Sequence, residues 1–102
     1  MDSNHMINKN DIVSCLQGLK LLQGSSIISK EEKSWSNFDV ISIEIENENS
    51  MGIIIVYEDN QVYFNFMNKK DESLTNYDRS EKYQDYGDLI EKIEQSLLEF
   101  WH

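Results

Sequence analysis

Between Asp39 and Met67 the chain reads DVISIEIENENSMGIIIVYEDNQVYFNFM, and much of it alternates between apolar and polar side chains. A period of two is the mark of an extended strand, whose successive side chains point to opposite faces of a sheet. Ile41, Ile43 and Ile45 fall on one face, while Val40, Ser42, Glu44 and Glu46 fall on the other. Val62, Phe64 and Phe66 likewise oppose Tyr63, Asn65 and Met67. The intervening IIIVY is apolar on both faces, which predicts a central strand with a helix over at least one side. NENSMG carries turn-forming residues, and EDNQ reads as a four-residue hairpin turn. A chain with this middle must build an antiparallel meander and cover its isoleucine face.

The flanking segments supply the cover. Ile12, Cys15, Leu16, Leu19 and Leu22 recur at spacings of three and four, which predicts a helix over about residues 11–23 with these five on its buried stripe. Asn10 suits the N-cap, Gly24 the C-terminal cap, and Gly18 marks a close packing contact. SSIISKEEKSW predicts a short first strand near residues 26–33. Residues 68–84 are polar and mixed in charge, and Leu74 with Tyr77 would anchor a further short strand near residues 73–77. The C-terminal stretch is a second helix. Asp88 and Glu91 have capping-box spacing, with Asp85 as the alternative cap. Leu89, Ile90, Ile93, Leu97, Phe100 and Trp101 form its apolar face. The expected fold is α+β: a two-layer sandwich with an N-terminal helix, a three- to four-stranded antiparallel meander and a C-terminal helix. Helices cover one face, and the other, with Glu44 and Glu46, stays wet.

A chain of 102 residues suffices for one domain, expected over residues 6–102. Residues 1–5 read as a cloning leader or a disordered N-terminus before Met6. A single cysteine permits no internal disulfide, which points to a reducing, cytoplasmic setting. No apolar run approaches the roughly 18 residues of a membrane span.

Catalysis needs convergent polar groups. The only histidines are His5, in the expected leader, and His102, the last residue. Cys15 reads as a small buried hydrophobe, since no base is spaced to activate it. No calcium loop, glycine-rich phosphate loop or zinc pattern occurs, so neither enzyme, metal nor cofactor is expected. Phe64, Phe66, Phe100 and Trp101 read as core. Tyr77, Tyr83 and Tyr86 would tack the preceding connection to the core or meet a partner. Trp35, with polar neighbours in KSWSNFD, is a candidate interface anchor.

The formal net charge is −10. The excess is concentrated in the meander: Asp39, Glu44, Glu46, Glu48, Glu58 and Asp59 occur with no base among them. Phosphate repels such a surface, so direct nucleic-acid binding is not expected. A basic protein partner fits, because acidic complementarity speeds association. Solubility and protection against edge-to-edge aggregation explain the same charges without a partner.

The acid-laced strands VISIEIENE and YEDNQVYF, followed by YGDLIEKIEQSLLEFW, make the chain resemble the immunity proteins of bacterial polymorphic-toxin and contact-dependent inhibition systems. The resemblance is of composition and architecture over Met6–His102. It implies an inhibitor that holds a basic nuclease toxin domain, with Trp35, Asp39, Glu44, Glu46, Glu48, Glu58, Asp59 and Tyr63 as partner-binding residues. Phage anti-CRISPR nucleic-acid mimics are similar in the same respects, and an accessory protein whose acidity serves only solubility is a third alternative. A monomer or a weak homodimer, joined through an edge strand or the Trp35 region, is compatible with all three.

Overall fold

The computed structural model describes residues 9–33, 39–57, 59–69 and 77–101. In chain order these form α1 (Lys9–Gln17), a single 3₁₀ turn (Lys20–Leu22), β1 (Ser26–Lys33), β2 (Asp39–Glu46), β3 (Ser50–Tyr57), β4 (Gln61–Asn68), β5 (Tyr77–Lys82) and α2 (Tyr86–Phe100). The five strands make one antiparallel sheet in sequence order, β1-β2-β3-β4-β5. The fold is therefore α+β, with five strands in place of the three or four expected. β1 forms where the short first strand was expected, and the fifth strand is the polar edge strand β5, YDRSEK. It starts at Tyr77, where the anticipated strand near residues 73–77 would have ended. Leu74 lies outside the described residues, as do the leader, His5 and His102.

The period-two reading carries through in the register. Ile43 pairs with Ile54, and Ile54 with Phe64. These residues, with Ile41, Ile45, Val56, Val62 and Phe66, are buried on the inner face. Ile12 and Leu16 of α1, Leu22 of the 3₁₀ turn, and Leu89, Ile93, Leu97 and Trp101 from the α2 side complete one hydrophobic cluster. Phe66 sits at its centre, with ring centroids 6.1 Å from Phe64, 5.9 Å from Phe100 and 6.0 Å from Trp101. Gly52 pairs with Phe66 and leaves room for that ring, since a Cβ there would lie 2.3 Å from Phe66 Cδ1.

The helix boundaries differ from expectation. α1 already includes Lys9, so Asn10 is inside the helix and is not its cap. The helix stops at Gln17, and the Gly18 N–H donates back to the carbonyls of Ser14 and Cys15 at 3.3 and 3.2 Å. Gly18 is thus a terminator, with no tight packing around it. Gly24 does take the left-handed conformation, at φ +81°, but it follows the 3₁₀ turn. With so short a helix only Ile12 and Leu16 are buried among its described side chains, and Cys15 is exposed. At 100° per residue Cys15 points some 80° away from the mean direction of that pair.

α2 is capped by Asp85, whose Oδ1 accepts the Asp88 N–H at 2.8 Å. Asp88 Oδ2 in turn accepts the N–H of Gln84, the residue before the cap, at 2.9 Å, so the cap lies one turn earlier than the Asp88–Glu91 reading. The β3–β4 connection is residues 58–60, one shorter than EDNQ, because Gln61 already pairs with Tyr57. Asn60 closes it at φ 68°, the left-handed position of a three-residue hairpin. Tyr83, buried between β5 and α2, is moored there. Its hydroxyl donates to the Tyr57 carbonyl at 2.6 Å, its N–H donates to the Asn60 carbonyl at 3.0 Å, and its own carbonyl accepts from Asn60 Nδ2 at 2.9 Å.

Candidate interaction surface

Both helices contribute to the core on the Ile43–Ile54–Phe64 side, so the opposite face of the sheet has no described element over it. Its side chains follow from the register. One row across the strands runs Ser26, Glu46, Met51, Met67. The next runs Ile28, Glu44, Ile53, Asn65, Asp78, and the third reaches Ser42, Ile55, Tyr63, Ser80. Along the central strand this face therefore presents Met51, Ile53, Ile55 and Tyr57. Ile28 is 54 % exposed and Met51 42 % exposed, whereas Ile53, Ile55, Tyr63 and Met67 are half-buried. An outward-facing apolar stripe on a central strand is unlike the fully wet face the alternation of β2 alone predicts. The signal was present in IIIVY, apolar in both registers. Helical cover on one side only turns that double apolarity into an open surface.

The acids do not converge on one patch. Glu44 and Glu46 stand exposed on this outer face, beside the stripe. Glu48 is in the β2–β3 turn at one end of the sheet, and Asp59 in the β3–β4 turn at the other. Eight-residue strands separate those ends by about 24 Å. Asp39 opens β2 at the Asp59 end, opposite Lys33 in the register. Tyr63 is on the outer face, where its hydroxyl accepts from Asn65 Nδ2 at 3.1 Å. Trp35 and Glu58 lie outside the described residues.

Glu46 is already engaged. Lys69 Nζ forms an ion pair with its carboxylate and donates to the Asn47 carbonyl at 2.8 Å. The same turn is held by Asn47 Oδ1, which accepts from the N–H groups of Asn49 and Ser50 at 2.8 and 2.7 Å. Lys69 thus clamps the β2–β3 turn, and Glu46 belongs to that clamp. Glu44, one row away, has no ion pair among the described residues. It borders a shallow, open hollow of about 220 Å³ lined also by Met51, Gly52, Ile53, Asn65 and Met67.

On the helical side, Cys15 and Asp11 of α1 approach Tyr86 at the start of α2. Burial, then the charge of Cys15 and its hydrogen bond, then the charge of Asp11 push the Tyr86 hydroxyl from 10.0 up to about 12. Among the described residues no group of three or more His, Cys, Asp or Glu is placed to hold a metal ion. Nor is any described helix long and apolar enough to cross a membrane. Compared with protein-family models, curated proteins and solved structures, the chain has no match.

Proposed function

We propose that this chain is a binding protein that neutralises a basic protein partner, a nuclease toxin domain of the kind that immunity proteins hold, and that it presents the uncovered face of its sheet. The observation that carries the reading is the juxtaposition on that face of an apolar stripe, Met51–Ile53–Ile55, with the carboxylate of Glu44, which has no ion pair among the described residues, on a molecule of net charge −10. Apolar surface left open by a fold supplies the desolvated centre of an interface, and flanking charge selects and steers the partner. The long-range field of so acidic a molecule attracts basic surfaces and repels nucleic acid. An apolar stripe flanked by Glu44 also fits a protein partner better than a pure phosphate decoy, which needs a chain of spaced charges.

The reading expects a basic nuclease domain encoded next to this chain, and the test is titration of the chain against that domain, with nuclease activity and calorimetry as the two readouts. Inhibition is expected, with an affinity that weakens from low to moderate salt. Glu44→Lys and Ile55→Asp should each weaken it by at least about tenfold, the scale of a central interface contact. Undiminished inhibition by both variants would move the interface off this face. Absence of any complex at low salt would end the reading, and competition with target DNA for a guide-loaded effector would replace it with the nucleic-acid-mimic alternative.

A further inference from the structure

We infer that the hollow beside Glu44 receives an arginine side chain of the partner; this rests on the reading of the outer sheet face as the partner-binding surface. The geometry comes from two adjacent rows of the sheet. Glu44 and Asn65 both pair with Ile53, from opposite sides. Their backbones are therefore two strand spacings apart, about 10 Å. Their side chains flank the Ile53 side chain, which forms part of the floor. In the next row Met51 pairs with Met67 and closes one end of the hollow with two flexible thioether chains.

The chemistry of the lining selects the occupant. Three of the four outward side chains other than Glu44 are apolar, so the guest needs a long apolar body. The carboxylate of Glu44, without an ion pair among the described residues, asks for a positive head. Lysine and arginine both combine an aliphatic stem with a cation. The second polar wall decides between them. Asn65 donates from Nδ2 to the Tyr63 hydroxyl, which leaves its Oδ1 as an acceptor. A carboxylate on one side and an amide oxygen on the other suit a planar guanidinium, which carries donors on several edges. A compact ammonium cannot span both. Glu46 does not compete for the head, because Lys69 holds it.

The probe is N-acetyl-arginine amide, titrated into the full chain labelled at the methionine methyls and the backbone amides. Saturable shifts are expected at Met51, Met67, Ile53 and Asn65. N-acetyl-lysine amide should bind at least about threefold more weakly, and Glu44→Gln should weaken the arginine probe by a similar factor, the scale of an exposed charge contact. N-acetyl-norleucine amide, with the stem and no charge, should not saturate. Equal binding of the norleucine or lysine probe, shifts centred elsewhere, or full binding by a folded Glu44→Gln variant would each overturn the assignment. Nuclease capture by the wild-type chain separates this from the broader reading. If the arginine probe fails while salt-sensitive capture persists, the hollow is wrong and the face stands. If the probe binds and no basic nuclease is captured, the arginine site stands and the partner class falls.

Discussion

Gly52 is a position where the core leaves no room for a side chain. Its missing side chain accommodates Phe66, and that ring is hemmed in by Phe64, Phe100 and Trp101, so it has no path of retreat. Gly52→Ala should lower stability by about 1–3 kcal/mol, the cost of overpacking a dense core, seen as a lower urea midpoint with little change in slope. Substitution of Lys69 tests a second contact. Lys69→Met keeps the stem but removes the Nζ donor from the Asn47 carbonyl and the ion pair from Glu46, and should cost about 1 kcal/mol in the same experiment. Neither role could be read from the chain: one needs a cross-strand register, the other a contact across a sheet end. What was legible at this scale was alternation. It assigned Ile41, Ile43, Ile45, Val62, Phe64 and Phe66 to a common inner side, and all are buried there. The acids were legible as charge but not as partners, so Glu46 and Glu44 looked equivalent in sequence and differ in the fold.

Among the elements, α2 was the most legible, because fifteen residues give a wide apolar face several turns in which to repeat. Its start was harder to place, since Asp85 and Asp88 both have cap chemistry and only the bonds choose between them. Asp85→Ala should cost about 1 kcal/mol, while Asp85→Asn should retain most of the stability; thermal melts of the two variants decide it. α1 was overextended because Leu19 and Leu22 continue its spacing past Gly18, where the chain turns aside into the 3₁₀ turn. β5 was hard to read because its inward positions carry Arg79 and Glu81, opposite Phe64 and Val62. Arg79 pairs with Glu81 at 3.6 Å and with Glu99 of α2 at 3.5 Å, and charged inward positions of this kind protect a sheet edge. Contact between the helices has a pH signature. The Tyr86 hydroxyl is raised above its ordinary value, so the folded state favours the protonated form. Its contribution is full below pH 10.0 and is lost as pH rises towards about 12. Alkaline unfolding should therefore steepen over that window, and Tyr86→Phe should flatten it.

For the whole molecule the balance is electrostatic. Acids outnumber bases 19 to 9, and the ion pairs among the described residues leave Glu44, Glu48 and Asp59 unmatched. Self-repulsion of that kind is screened by salt over about 10 Å at 0.1 M. Melting temperature should thus rise with sodium chloride while affinity for a basic partner falls; a melting temperature that does not rise would mean that repulsion does not limit stability, and an affinity that does not fall would mean that charge does not drive binding. The two-layer plan was legible from helix, strands, helix in chain order. The uncovered apolar stripe was not, because a strand apolar on both faces is equally compatible with helices on one side or on two. The consecutive strand order also bears on how the chain is made. Each hairpin can pair as soon as it leaves the ribosome, but the apolar inner face of the sheet has only α1 and the 3₁₀ turn to cover it until α2 and Trp101 follow. Core closure must wait for α2, so a truncation before Leu89 would leave a nascent sheet with its inner face only partly covered, a natural client for chaperones and proteases.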